Sequence, residues 1–535
     1  SHQSLSASHV LNIGGFALEG ESVLSESDGF STRELRLVKD DPNRLLRYSA
    51  GDVSTPINEL QRGFQLFGLN VAKEFGIQPY RSFTPTGSAS FDLEESATVR
   101  VIVNGRPART LQLEAGSYNI EEFKLAAGAN RMDLQIETES GVVDQLSVSE
   151  FGSVHLLDSG VSTFSVSLGW PKATEKGEDV SAVSETGWYQ RFVEKDPVIS
   201  GYYRRGVTKQ MTASVDLQAS SEWSRLGLSL NTANQRLGTT NLSLSANQTA
   251  TGAEALSARL TWNRDLRGYN ISFSSLYSDK AFNLYRADQL PSERDMRLSS
   301  SLSVSKLFYE SLNVSLNLLD QVRHDGSPAR TVSTNLGRRF GPVYAGLSFR
   351  HSRSSFQEEY GSYLTLTWNP AVKWRARSQF RYSNSEGGSS VSSQFDYASR
   401  RKDDYFNARL NLRRGEAGYD FDGSLAYETG LYGASISHNE VYDSIDDFAE
   451  KGRDTTITLE SAIAFADGSF GLARRVRDSF AIVDKHEAWS DVTLGINPTI
   501  GGFEKRGEGR WLSPVLPDLA SYREAYATIQ TVDSD

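Results

Sequence analysis

From Val161 onward the chain alternates apolar and polar residues in short runs. Arg225-Leu226-Gly227-Leu228-Ser229-Leu230 places leucine on one face only, and Asn313-Val314-Ser315-Leu316-Asn317-Leu318 does the same. Tyr269-Asn270-Ile271-Ser272-Phe273, Tyr363-Leu364-Thr365-Leu366-Thr367-Trp368 and Asn407-Ala408-Arg409-Leu410-Asn411-Leu412 repeat it. A period of two predicts β-strands with one apolar and one polar face. Clusters of Gly, Asn, Asp and Ser break the runs, and the stretches around Glu178 and Glu386 read as long exposed loops. Strand plus turn recurs every roughly 15–18 residues, longer than the ~8–12 of a compact sandwich. Between Val161 and about Ala473 this leaves room for on the order of 18 strands. The first 85 residues add Ser8–Leu18, Thr32–Lys39, Arg44–Gly51, Phe64–Ala72 and a fifth segment, Gln78–Phe83. The expected fold is all-β: a large antiparallel transmembrane β-barrel of about 24 strands. Helix is nearly absent, and Ser444–Glu450 reads as a charged loop rather than one short helix.

Alternation alone does not say which face meets water, because a soluble sandwich alternates too. Aromatic residues cluster where strands finish: Tyr202-Tyr203, Trp262, Phe308-Tyr309, Trp368, Trp374, Tyr382, Tyr397 and Tyr405-Phe406. They fit the aromatic girdles at the two edges of a membrane; ordinary aromatic preference for strands is the competing account. Composition is compatible with the barrel. Apolar residues are 38% of the 535, aromatics 10%, and mean hydropathy is −0.43. No run approaches the ~20 apolar residues of a spanning helix, yet barrel strands keep a low mean hydropathy because half their residues face away from lipid. A net charge of −11 argues against a nucleic-acid partner. The absence of cysteine excludes disulfides and thiol chemistry.

One stretch departs from this pattern. In Ser88–Gly141, Thr98-Val99-Arg100-Val101-Ile102-Val103 is a strand, and Asn104-Gly105 is a strong hairpin signal. Arg109-Thr110-Leu111-Gln112-Leu113 returns, Gly116, Tyr118, Ile120 and Phe123 follow, and Arg131–Ile136 closes the set. Val99, Val101, Val103, Leu113, Ile120, Phe123, Leu134 and Ile136 are the expected core of a small β-sandwich inserted in the larger array.

This layout resembles the plug domain of the outer-membrane ushers of the chaperone–usher pilus pathway. Ahead of it, Arg62-Gly63 and Gln78-Pro79-Tyr80-Arg81-Ser82-Phe83-Thr84-Pro85 are similar to the family's approach to the plug. Behind it, Val154-His155-Leu156-Leu157, Phe164–Gly169 and Tyr202–Val207 resemble the re-entry strands. Asp478–Val483, Gly509–Pro514 and Leu519–Glu524 are similar to the first C-terminal sandwich, although Ala525 stands where the family has Asn. The resemblance implies first barrel strands in 1–86, the plug in 87–150, the rest of the barrel in 151–475 and the start of a periplasmic sandwich in 476–535. It implies the Gram-negative outer membrane, with plug and C-terminal part periplasmic or lumenal. The implied partners are periplasmic chaperone–subunit complexes, pilus subunits and outer-membrane lipid. The family's N-terminal periplasmic domain is not represented. The first residues lack the basic and apolar regions of a signal peptide.

A gated pore needs no catalysis, and the sequence offers none. No Walker A, GxSxG or GxGxxG pattern occurs, and His486-Glu487-Ala488-Trp489-Ser490 has Ser490 where a zincin requires its second His. No metal or cofactor is expected, and Asp403-Asp404 and Asp446-Asp447 read as solvated loop charges. The plug's contacts with the wall should be polar and breakable. The candidates are Arg100, Asn104, Gly105, Arg106, Arg109, Glu114, Gly116, Tyr118, Glu121, Glu122, Phe123 and Lys124, set against wall residues such as Arg204, Arg205, Arg225 and Arg381. Simple solvation is the competing account for each charge. Two other readings remain open: a plugged porin or transporter, and a secreted all-β carbohydrate-binding protein.

Overall fold

The computed structural model describes the chain apart from residues 1–2, 27–28, 82, 85, 94–96, 104–105, 114–115, 125–127, 139–142, 153–155, 172–195, 235, 284–295, 310, 356, 372, 385–387, 402–403, 416–417, 443–449, 477, 486–491, 500–501, 508–512 and 533–535. Over much of 86–152 it describes the backbone only. The chain forms two compact units, Ser1–Val304 with Leu318–Ala329, and Ser305–Asn317 with Arg330–Asp535.

In the first unit, β1 (Ser4–Ile13), β2 (Phe16–Ser25), β3 (Gly29–Asp41), β4 (Leu46–Ser54) and β5 (Gln65–Lys73) form an antiparallel meander. β5 then pairs with β12 (Ser162–Pro171), so the chain between them leaves the sheet without interrupting it. The junction is tight. A Cβ on Gly68 would lie 2.0 Å from the Leu168 carbonyl oxygen, and one on Gly169 would lie 2.5 Å from that of Phe67. The excursion holds β6 (Thr86–Leu93), β7 (Ala97–Val103), β8 (Arg106–Leu113), β9 (Gly116–Lys124), β10 (Gly128–Thr138) and β11 (Val143–Gly152). They make a four-stranded sheet, β11-β10-β7-β8, and a two-stranded sheet, β6-β9. The meander resumes through β13 (Val198–Thr208), β14 (Met211–Ala219), β15 (Trp223–Asn234), β16 (Gly238–Thr249), β17 (Glu254–Leu266) and β18 (Tyr269–Ser278), followed by the one-turn helix α1 (Lys280–Asn283).

β19 (Met296–Phe308), β20 (Leu312–Arg323) and β21 (Pro328–Phe340) carry the meander on, and the second unit extends it. There it runs through β22 (Val343–Ser354), β23 (Glu358–Ala371), β24 (Trp374–Ser383), β25 (Ser390–Arg401), β26 (Asp404–Gly415), β27 (Gly418–Glu428), β28 (Tyr432–Tyr442), β29 (Glu450–Ala466) and β30 (Ser469–Ala473). Among the described residues the sheet has 24 strands. Past it, β31 (Ser479–Ile482) pairs with β34 (Val515–Leu519), while β32 (Thr493–Thr499) pairs with β33 (Gly502–Gly507) and β35 (Ile529–Val532). Val515 packs with Ala464 and Ala473 under Phe480 and Ile482.

Burial resolves the ambiguity that alternation leaves. On β15, Leu226 and Leu228 are 51% and 55% exposed, whereas Arg225 and Ser229 are 6% and 7% exposed. Val166 and Leu168 are exposed on β12 and Ser165 and Ser167 buried; Val215 and Leu217 are exposed on β14 and Asp216 and Gln218 buried. The apolar face of the large sheet is therefore its outer face, the inverse of a water-soluble sandwich and the polarity of a membrane barrel. The inserted sheets run the ordinary way, with Val99, Val101, Leu134 and Ile136 buried and Arg100 exposed.

Two expected segments are corrected. Ser8–Leu18 is not one strand but the facing ends of β1 and β2, turned at Gly14-Gly15 with φ of 58° and 82°. Gln78–Phe83 is not a strand: a 3-10 turn at Phe75–Ile77 precedes it, and Phe83 stacks on Phe75 at 4.0 Å within a cluster with Leu45 and Ile77. Pro79 and Pro85 carry no N–H for a ladder. From Val161 on, the described residues form strands β12 to β30, nineteen against about 18 expected. The Ser444–Glu450 assignment falls, except for Glu450 at the head of β29, outside the described residues.

Candidate functional site

The polar face of the first unit is not left to solvent alone. Residues 55–64, between β4 and β5, lie across β13 to β16. Asn58 Nδ2 donates to Ser214 Oγ at 3.2 Å and to Asp216 Oδ2 at 3.4 Å. Glu59, held at φ 49°, accepts at Oε1 from Asn241 (2.9 Å) and Asn231 (3.3 Å), and at Oε2 from Ser243 (3.2 Å). Gln61 Nε2 donates to the Gly201 carbonyl at 2.8 Å. Arg62 and Gln218 exchange two bonds: the Arg62 N–H donates to Gln218 Oε1 (3.1 Å) and Gln218 Nε2 donates to the Arg62 carbonyl (2.8 Å). Phe64 then stacks on Trp223 at 6.0 Å, with the Arg62 guanidinium 4.7 Å from its ring. The loop is thus bonded to four successive strands by amides, hydroxyls and two carboxylates, Glu59 and Asp216. Each such bond contributes about 1 kcal/mol, and stranding a buried partner costs about 1–3 kcal/mol. Apolar packing joins these bonds: Leu60 is buried, and Phe64 packs with Val53, Leu66 and Val198.

The inserted sandwich also meets this wall, with β10 against β17 and β11 against β15. Of the candidate gating residues, Arg100 is an exposed position of β7. Arg106 and Arg109 lie on β8, and Gly116, Tyr118, Glu121, Glu122, Phe123 and Lys124 on β9, with the backbone described. Asn104, Gly105 and Glu114 lie outside the described residues. On the wall, Arg204 and Arg225 occupy the polar face. Arg225 donates to Ser245 Oγ at 2.8 Å and sits 5.0 Å from the Phe282 ring of α1. Arg205 alternates with them onto the apolar face beside Tyr203 and Val207, because strand period sends neighbours to opposite sides.

In the second unit the polar face carries a charge ladder. Asp396, 7% exposed, accepts from Arg375 Nε (3.0 Å), Arg409 Nε (3.0 Å) and Gln394. Arg381 approaches Glu359 at 4.0 Å, Arg413 approaches Asp420 at 3.5 Å, and Asn411 donates to Asp422 at 2.8 Å. The guanidiniums stay about half exposed, so they are wet. A wall of paired but hydrated charges suits an aqueous passage rather than a packed core. Among the described residues no group of three or more acidic or histidine side chains could hold a metal ion. His486–Ser490 lies outside the described residues.

Residues 55–64 were not marked as a site by the sequence, apart from Arg62-Gly63. The signal was present: a polar run, Asn58-Glu59-Leu60-Gln61-Arg62, between Val53 and Phe64, too polar for a strand and too apolar at its ends for a free loop.

No protein-family model matches the sequence, and no curated protein does. Solved structures do. A chain of an E. coli P pilus tip assembly intermediate, PapC-PapD-PapK-PapG, matches over 98% of this chain at a TM-score of 0.68 and 14% identity. This chain spans 65% of that chain's length. The P pilus usher (PapC) translocation pore matches over 86% of this chain and 94% of its own, with 15% identity and a TM-score of 0.47. A Rh. blastica porin matches over 46% of this chain and 89% of its own, with 10% identity and a TM-score of 0.30. The protein has the usher fold: a transmembrane β-barrel with a β-sandwich inserted between two of its strands.

Proposed function

We propose that the protein is an outer-membrane usher pore, through which pilus subunits delivered by a periplasmic chaperone are secreted and assembled, with the sandwich of residues 86–152 as its plug. The observation that carries this reading is the position of the insert. It leaves between β5 and β12, which pair directly with each other, and its strands β10 and β11 come to lie against β17 and β15. A wall that stays continuous across the insertion can keep its shape while the insert moves. Loop 55–64, bonded to β13 to β16, and the insert, against β15 and β17, then share one stretch of wall. The apolar outer face, the hydrated charges within and the fold shared with a pilus assembly intermediate support the same reading. No step requires an enzyme.

Planar-bilayer conductance of the purified chain, with and without residues 86–152, tests it. The expected result is small conductance from the whole chain and large, stable conductance from the deletion. Equal conductance from both would leave a porin whose insert does not close it. Failure of both to insert, with solubility in plain buffer, would overturn the membrane reading.

A further inference from the structure

Two places on the outer apolar face of the second unit break its composition in the same way. On β22 and β23, His351 faces Tyr360 and Arg353 faces Glu358. The His351 ring stacks on Tyr360 at 4.9 Å, and its Nε2 lies 3.0 Å from Glu358 Oε1. On β28 and β29, Glu440 faces Arg453 and His438 faces Thr455. There Arg453 and Tyr442 donate to Glu440 at 2.8 to 2.9 Å, and His438 lies 3.0 Å from the same carboxylate. Each place gathers one His, one Arg, one Glu and one Tyr.

Both lie at the same end of the strands. The β22–β23 and β28–β29 connections are six strands apart in an up-and-down meander, so they emerge on one rim. That rim bears connections 355–357, 384–389, 416–417 and 443–449, two of them longer than any of 341–342, 372–373, 402–403, 429–431 and 467–468 at the other. Longer connections mark the external side of such barrels. Along β23, Trp368 and Tyr360 both point outward, eight residues or about 27 Å apart along the strand. At a tilt near 40° they stand about 21 Å apart along the membrane normal, most of the ~25 Å height of a barrel's apolar band. Leu364 and Leu366 lie between them, as Ile436 and Ile457 lie below His438 and Thr455. Each quartet therefore stands at headgroup depth, where charges facing lipid tails would be costly and charges facing phosphate are favoured.

A shallow groove of about 400 Å³ adjoins the first quartet, walled by Phe349, His351, Tyr360 and Tyr382. It offers an apolar bed for a chain descending from a headgroup. The Arg453 side chain, oriented by Glu440, is 55% exposed, and Arg353 is exposed at the same rim.

We propose that these quartets bind a phosphate-bearing amphiphile of the external leaflet, the guanidinium of Arg353 or Arg453 taking the phosphate and, at the first quartet, the aromatic groove taking the chain. The proposal rests on the outer-membrane reading. The test is retention of lipid A, in its phosphorylated and its dephosphorylated form, by the full chain in detergent, read by native mass spectrometry. The whole chain should retain phosphorylated lipid A, R353A/R453A should retain it about tenfold less or weaker still, and the dephosphorylated form should be retained weakly by both. Bilayer conductance of the variant should match the parent, because neither arginine faces the polar side; loss of insertion by the parent itself would mean instead that the membrane reading fails. Equal retention by parent and variant would overturn the proposal, and so would a change of oligomeric state in the variant without a change in lipid retention, which would make this face a protein interface. If R353A/R453A does not fold, the parent alone decides, since equal retention of the two lipid A forms overturns the proposal, and R353K/R453K should retain the phosphorylated form nearly as the parent does.

Discussion

Gln218 shows how one side chain can serve both wall and loop. It is fully buried, donates to Ser200 on β13 and exchanges a pair of bonds with the Arg62 backbone. Gln218→Leu keeps the volume and strands the Arg62 N–H and carbonyl, so the loop should loosen by about 1–3 kcal/mol. Hydrogen exchange of residues 58–64 should rise by one to two orders of magnitude while β14 and β15 stay protected; unchanged exchange would mean that the loop is held elsewhere. Gly227 is the complementary case. Its strand partner is Asp216, and a Cβ there would lie 2.3 Å from Asp216 Oδ2. Gly227→Val should displace the carboxylate from Asn58 and lower the melting temperature of the detergent-solubilised protein, whereas Leu226→Val on the outer face should change it little. Neither role was legible in the sequence. Gln218 and Gly227 look there like any polar and any small residue of an alternating strand. Only a contact 156 residues away, between Gln218 and Arg62, gives the first its meaning.

At the scale of elements, the strands themselves were readable, because a period of two is a local property. Their polarity was not, because the same alternation serves a sandwich and a barrel, and only long-range pairing decides which face is covered. The boundary at Gly14-Gly15 is masked in sequence because apolar residues flank the turn on both sides, Val10, Leu11 and Ile13 before it and Phe16 to Leu18 after it. The segment 78–83 imitates a strand through Tyr80 and Phe83, while the flanking prolines forbid its ladder. Elements beyond the sheet carry a pH prediction. Asp484, after β31, accepts from Ser469 at 2.6 Å, from Ser513 at 2.9 Å and from the Lys485 N–H. These bonds hold its carboxyl below the usual carboxylate range. A depressed folded-state value means that the stabilisation is complete above the ordinary pKa near 4 and is lost as pH falls through it to the folded value. Asp484→Asn should therefore melt earlier than the parent at pH 7, and the difference should close as pH falls below about 4. A gap that persists into strong acid would show that the carboxylate's charge is not what joins β30 to residue 513.

At the scale of the whole molecule, two opposite polarities coexist in one chain. The large sheet buries serine, asparagine and arginine and exposes leucine, whereas the insert buries Val99, Val101, Leu134 and Ile136 and exposes Arg100. The insert's denser apolar spacing and Asn104-Gly105 made it legible in sequence; its place against β15 and β17 was not, since no residue pattern encodes a docking partner. The two solvents should therefore be separable by experiment. Residues 86–152 expressed alone should stay soluble in plain buffer and unfold cooperatively, because Val99, Val101, Leu134 and Ile136 are buried and the chain enters and leaves at one place, beside the β5–β12 ladder. The chain without 86–152 should keep its strand content only in detergent or lipid, since its exposed leucines have no other cover. If the excised insert aggregates while the remainder is soluble without detergent, the assignment of the two faces is reversed and the barrel is a soluble β-protein. If both need detergent, the insert depends on the wall for its fold, and a plug that must leave the wall to open the pore would have to unfold to do so.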